Sequence, residues 1–188
     1  MARVRYRDRS RVKERVHAVS TRQIIKYALL IFTACILSVM QSTFFKINGS
    51  PVGLTLIFVA ATGIFFGERD GAILGLLGGI IIDSLAGGVI YTSPLVYMLV
   101  GYFCGLCIKR FLSRSLPSFL VYMLLVGLIK QAVNIFYFVM LSDSLNLMEI
   151  LLGTLLPDYI AFVVFSPAVY LAAFVIFKIV SIEKRKRL

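Results

Sequence analysis

Apolar residues gather into six runs separated by short polar connections, at about 24–45, 51–66, 71–90, 94–108, 116–141 and 159–180. Helix start signals coincide with several of them. Ser50-Pro51 and Ser93-Pro94 each place a capping hydroxyl before a proline at the first helical position, where a missing N–H is harmless. Pro157-Asp158 opens the sixth run in the same way, and Pro167 inside that run predicts a kink. A helix needs about 20 residues to cross the hydrocarbon of a bilayer. The second and fourth runs, with 16 and 15 residues, fall short. They are expected to extend into their connections or to sit where the bilayer thins. The leftover piece at 145–156, LNLMEILLGTLL, is too short to cross and reads as a helix lying on or dipping into the interface.

Composition agrees with this pattern. Of 188 residues, 60% are hydrophobic and 15% charged, where soluble domains carry about a quarter charged residues. The expectation is an all-α integral membrane protein with one six-helix bundle over 24–180. A disordered basic tail over 1–23 precedes it and a basic end over 181–188 follows it. The first run is too long for a cleaved signal and no A-x-A-like site follows it, so it stays as an anchor.

Charge sets the orientation. The net charge is +11, and fourteen of the 20 Lys and Arg residues crowd the two ends of the chain. With the N-terminus in the cytoplasm and six crossings, cytoplasmic segments hold 18 basic residues and external ones hold only Lys46. Both termini are therefore expected in the cytoplasm. Such ends attract anionic lipid, and nucleic acid is not an expected partner.

Catalytic chemistry is sparse. Cys104 and Cys107 form a C-x-x-C inside an apolar helix, and His17 is the one histidine, so these cysteines read as packing residues and no metal or cofactor is expected. Glu68, Arg69 and Asp70 read as a solvated turn. Asp143 and Glu149 lack a matching acid or base, and the chain is not expected to be an enzyme.

The third run carries the sharpest signal. Gly71, Gly75, Gly79, Asp83 and Gly87 recur every fourth residue, with Gly78 beside Gly79. Gly63 and Gly67 extend the spacing backwards, and Gly101 and Gly105 repeat it on the fourth run. Residues four apart share a helix face, so the glycines form a slanting groove in which a second helix can come close. Either this chain's own helices or an outside helix or ligand could fill it.

Asp83 needs a partner or water, because a carboxylate at a membrane-helix centre costs about 2.5–3.5 kcal/mol. Lys130 is the one basic residue well inside a run. At 1.5 Å per residue the two sit roughly 18 and 21 Å along their helices from the cytoplasmic side. Gly127, Lys130, Gln131 and Asn134 share one stripe of the fifth run. The expectation is an Asp83–Lys130 pair, with Gln131 and Asn134 completing a buried polar network. The alternative is that each residue meets water independently or that Asp83 is uncharged.

Several segments together resemble a known family. QSTFF ends the first run at 41–45, and G-x-x-x-G-x-x-G-G-x-x-x-D spans Gly71 to Asp83. LAGG and LVYMLVGYFCGL follow, and LLPDYIAFVVFSPAVY comes late in the chain. In order and spacing the chain resembles MreD, the small membrane subunit of the bacterial rod-shape machinery, from about Leu30 to Val180. Tyr91, Thr92 and Ser93 stand where that family usually has a glycine.

The resemblance implies a non-enzymatic scaffold needed for cell shape and lateral peptidoglycan synthesis in the cell membrane. It implies an MreC-like partner and, indirectly, the MreB filament, RodA and a penicillin-binding protein. It further implies a fold like the S subunits of energy-coupling-factor transporters. That relation carries the alternative, a subunit binding a vitamin-like molecule. The A-x-x-x-A docking motif of S subunits is absent here, Ala28 and Ala34 being six apart.

Overall fold

The computed structural model describes residues 2–47, 50–86, 92–110, 116–141 and 151–185. Among them are six α-helices: α1 Ala2–Thr43, α2 Leu54–Phe66, α3 Glu68–Ala86, α4 Ser93–Arg110, α5 Leu116–Leu141 and α6 Leu156–Arg185. A π-helical turn, Leu151–Leu155, runs directly into α6. Between α1 and α2 two short strands, β1 Lys46–Ile47 and β2 Ser50–Pro51, pair antiparallel with Lys46 opposite Pro51. Apart from short connections, the other described residues are helical.

Three stretches are long and apolar enough to cross a membrane: Gln23–Thr43, Pro117–Phe136 and Leu151–Lys178. This marks a membrane protein. Their outward faces carry large apolar side chains, among them Phe32, Val121, Leu128 and Val164, each more than 60% exposed.

Two boundaries differ from the sequence expectation. α1 is helical from Ala2, so the basic segment expected to be disordered continues the first span. No glycine or proline interrupts residues 2–43, and Arg and Lys are good helix formers. The second difference concerns the piece read as an interfacial helix. Its described part, 151–156, opens the last span; residues 145–150 lie outside the described residues.

The short second run is also explained. α2 has 13 residues, a length of about 20 Å, against a hydrocarbon thickness of about 30 Å. Every residue from Leu54 to Phe65 is buried, and α1, α3, α4 and α6 all pack on it. A helix apolar on all sides belongs in a core. Protein surrounds α2, so its short length does not have to match the lipid.

Contacts along the bundle set the helix directions. Lys26 of α1 meets Asp70 at the start of α3, and Gly105 near the end of α4 abuts the Glu68 backbone. Phe66 at the end of α2 meets the ring of Phe177 late in α6, centroids 5.4 Å apart. At the opposite end, Gly79 of α3 abuts Ser93 and Pro94 at the start of α4. Phe119 early in α5 meets Tyr170 of α6, and Gly127 farther on meets Tyr159. Successive helices are thus antiparallel. The Lys26 region of α1 and the Phe177 region of α6 share one end of the bundle.

α6 passes through Pro167 as a continuous helix. Proline lacks the N–H that would bond the carbonyl of Val163, four residues back. The Ser166 hydroxyl, fully buried, donates to that same carbonyl at 2.7 Å. The neighbouring side chain replaces the lost donor. Ser166→Ala is expected to leave the carbonyl bare at a cost of about 1–3 kcal/mol. A melting curve in detergent, compared with the better-exposed Ser42→Ala, measures it.

Candidate functional site

The glycine face is occupied by the chain itself. A Cβ added to Gly71 would lie 2.6 Å from the Gly101 carbonyl oxygen and 2.6 Å from Gly63 Cα. At Gly75 it would lie 2.3 Å from the Tyr97 carbonyl oxygen, and at Gly79 2.3 Å from Pro94 Cα. At Gly101 and Gly105 it would lie 2.2 and 2.5 Å from the backbone of Gly71 and Glu68. The α3 and α4 backbones therefore touch along their length, with α2 joining at Gly63. Gly78 faces side chains instead, Thr55 and Val59 at 3.3 and 3.6 Å. Gly87 lies outside the described residues. Of the two occupants the spacing allowed, Gly63, Gly71, Gly75, Gly78, Gly79, Gly101 and Gly105 are filled by this chain's own helices and offer no groove to an outside helix; Gly67, in the α2–α3 turn with φ +106°, meets nothing within 4 Å.

The buried polar network exists around a different acid. Lys130 Nζ donates to Asp158 Oδ1 and Oδ2 at 2.8 and 2.7 Å and to the Pro51 carbonyl at 3.0 Å. An ammonium has three protons, and these acceptors use them. Gln131 Nε2 donates to Asp158 Oδ2 and to the Leu155 carbonyl, both at 3.0 Å. Asn134 Nδ2 donates to Gln131 Oε1 at 3.2 Å. Lys130 also lies over the Phe162 ring, 5.5 Å from its centroid. The expected Asp83–Lys130 pair does not form. Lys130, Gln131 and Asn134 come together as expected, but the carboxylate at their centre is Asp158, which is fully buried.

The reason lies in where the last span begins. Read from the sequence as opening near Tyr159, it puts Asp158 at the mouth of the bundle as a helix opener. Because the π-helical turn extends the span back to Leu151, Asp158 stands about 10 Å inside it at 1.5 Å per residue. That is deep enough to meet Lys130.

Backbone conformation makes room for the lysine. Gly53 has φ +82°, a left-handed value that penalises any side chain. Its missing Cβ would stand 3.2 Å from Lys130 Cε. The β2–α2 connection thereby brings the Pro51 carbonyl onto the ammonium.

A second polar group continues this cluster toward α1, α3 and α4. Gln41 Oε1 accepts from the Thr55 backbone N–H at 3.0 Å, and Ser38 Oγ lies 3.0 Å from Thr55 Oγ1. All three side chains are buried. Tyr97 of α4 lies within electrostatic range of Gln41, Asp83 and Asp158. Asp83 is 6% exposed, and its Oδ2 has no hydrogen-bond partner among the described residues.

Sequence reasoning missed Gln41, Tyr97 and Asp158 as members of this cluster. Gln41 and Asp158 each carried a signal, as polar groups inside or opening an apolar run. Tyr97 carried none, since a tyrosine in an apolar helix is ordinary.

At the opposite end of the bundle the turn residues are not merely solvated. Lys26 Nζ donates to Asp70 Oδ2 at 2.5 Å, and the Tyr27 hydroxyl donates to Asp70 Oδ1. Lys26 also lies over the Tyr27 and Phe66 rings. This clamp ties α1 to the α2–α3 turn. Cys35, Cys104 and Cys107 are free thiols, with Cys104 buried in the core.

An apolar surface lies open between α4 and α5. α4 and α5 stand apart, with a cleft of about 570 Å³ between them. Val100, Phe103 and Cys104 line one wall, and Val121, Leu125 and Ile129 the other. Comparison with models of known protein families, with curated proteins and with solved structures finds no match to this chain.

Proposed function

We propose that this chain is a non-enzymatic, MreD-like scaffold subunit of the bacterial rod-shape machinery. It serves cell shape and lateral peptidoglycan synthesis by docking the membrane helix of an MreC-like partner. Through that partner it acts with the MreB filament, RodA and a penicillin-binding protein. In this reading six helices cross the cell membrane and both termini are cytoplasmic. The antiparallel helix order supports it, as does the distribution of basic residues in the sequence, 18 of which this topology would put on the cytoplasmic side against Lys46 outside. The basic ends then hold anionic lipid at about 1 kcal/mol per residue near the surface.

The observation that carries the docking role is the apolar cleft between α4 and α5. The glycine face is used up inside the bundle, so a partner helix must bind elsewhere. The cleft is open, apolar and flanked by outward side chains, Val121 and Leu125 being 63% and 58% exposed. In lipid such a surface gains from close van der Waals packing with another helix.

Co-purification tests the reading. Val121→Trp with Leu125→Trp is expected to lower recovery of the MreC-like protein tenfold or more while leaving the yield of this chain unchanged. Depletion is expected to give round or swollen cells. Normal cell shape on depletion, with a vitamin-like molecule bound by the purified protein, would instead establish a transporter S subunit. The buried polar cluster is the feature that favours that second reading.

A further inference from the structure

α1 is twice as long as its membrane span. The span is Gln23–Thr43, yet the helix begins at Ala2. Residues 2–22 continue the same helix for about 31 Å at 1.5 Å per residue. No glycine or proline interrupts it, and the Lys26–Asp70 ion pair fixes its base to the bundle. The extension therefore leaves the membrane along the axis of the span. Arg3, Arg5, Arg7, Arg9 and Arg11 stand about 18–30 Å beyond Gln23, and a span tilt of about 20° changes this little. Headgroups reach about 5–8 Å past the hydrocarbon, and surface charge is screened within about 8 Å more at physiological salt. These five arginines are out of reach of anionic lipid, whereas Arg22 stands at the surface.

Their spacing decides what they can meet. Basic residues alternate with others from Arg3 to Arg15. Successive helix positions turn by about 100°, so every second one lands about 200° on. The alternation divides into two nearly opposite rows, Arg3, Arg7, Arg11 and Arg15 on one and Arg5, Arg9 and Lys13 on the other. Like charges four apart repel along each row, and Asp8 and Glu14 are the only acids in residues 2–22. Counter-charge is needed on both sides of the helix. A bilayer is a plane and meets one side, and a membrane-surface helix has one apolar face. Here the arc that holds Val4, Val12 and Val16 also holds Arg5, Asp8 and Arg15, so no face is apolar. A nucleic-acid groove has two walls, but they are phosphate throughout. Carboxylates interleaved with the arginines suit a protein surface of mixed charge better.

We propose that residues 2–22 form a rigid basic arm whose two rows seat between two acidic walls of a water-soluble protein partner, as in the groove between two acidic helices or subunits. The inference rests on α1 crossing a membrane and not on the rod-shape reading. Its partner is distinct from the membrane helix assigned to the α4–α5 cleft.

The full chain in nanodiscs, with a fluorophore on its N-terminal amine, tests the arm. Energy transfer to acceptors in the headgroup layer is expected to be equal in phosphatidylcholine nanodiscs and in nanodiscs enriched in anionic phosphatidylglycerol. Higher transfer in the anionic nanodiscs would place the arm on lipid and overturn the proposal. Poly-glutamate is expected to raise the anisotropy of the fluorophore in phosphatidylcholine nanodiscs at physiological salt. Neutralising one row with Arg3→Gln, Arg7→Gln and Arg11→Gln, or the other with Arg5→Gln, Arg9→Gln and Lys13→Gln, is expected to weaken this binding about tenfold or more in each case. Both variants are expected to keep the Tm of the parent, because the arm precedes the bundle. No binding of poly-glutamate, binding that one row alone carries, or tighter binding of a duplex oligonucleotide of equal charge overturns the proposal.

Discussion

Gly75→Ala is expected to cost most of the folded protein, whereas Gly78→Ala, three residues on, is expected to be tolerated. At Gly75 the new methyl would stand 2.3 Å from the Tyr97 carbonyl oxygen and 2.6 Å from its carbon. Those atoms belong to the α4 backbone, which no rotamer change can move. α4 would have to shift away from α3, and the contacts at Gly71, Gly79, Gly101 and Gly105 would open with it. Overpacking typically costs 1–3 kcal/mol and occasionally more; with two helices forced apart, about 3 kcal/mol or more is expected here. That is a large share of the 5–15 kcal/mol by which proteins are stable.

At Gly78 the new methyl would meet only side-chain methyls, Thr55 Cγ2 at 3.3 Å and Val59 Cγ2 at 3.6 Å. Alanine is better than glycine in a helix by roughly 1 kcal/mol, which offsets the tight contact. Its net effect should stay within about 1 kcal/mol. The yield of monodisperse protein and its Tm in detergent compare the two. Similar behaviour of both variants would mean that close approach of α3 and α4 is not what holds the bundle.

The second large effect concerns Lys130 and Asp158. Removing one member of a buried ion pair costs about 3–5 kcal/mol, because the other charge stays buried without it. Lys130→Met leaves Asp158 with Gln131 as its one remaining donor in the network. Asp158→Leu leaves an ammonium with only the Pro51 carbonyl. The double variant removes both charges and is expected to lose clearly less than the sum of the singles.

Asp83 supplies the control. It shares no hydrogen bond with Lys130, so Asp83→Asn combined with Lys130→Met is expected to be close to additive. Strong coupling at Asp83–Lys130 with additivity at Lys130–Asp158 would reverse the assignment. Unfolding followed through both double-mutant cycles gives the answer.

These two cases also show how far the sequence reached. The glycine spacing at 71, 75 and 79 announced a face for close helix approach, and that face exists. Spacing describes one helix only, so it could not say which backbone fills the groove. The stripe of Lys130, Gln131 and Asn134 was legible for the same reason, being three positions on a single helix. The partner was not legible. Matching depths along two helices made Asp83 a candidate, but depth is one coordinate, and pairing also needs adjacency around the bundle. From the sequence Asp158 reads as a helix opener, not as the partner, because the π-helical turn shifts the start of the last span by two turns.

The sequence by itself determined that the chain is helical, apolar enough for a membrane, and basic at both ends. Each of these follows from local composition and period, where every residue contributes independently of the fold. Only the tertiary structure decided that α2 is wrapped on all sides by its neighbours, that α3 and α4 consume their own glycines, and that Lys130 belongs to Asp158. Those outcomes rest on which helices are neighbours, and neighbours are chosen by the packing of the whole bundle at once. Asp83 stands where the two meet: its burial in an apolar run was visible from the start, and its free oxygen emerged only when every other donor in the cluster had been assigned.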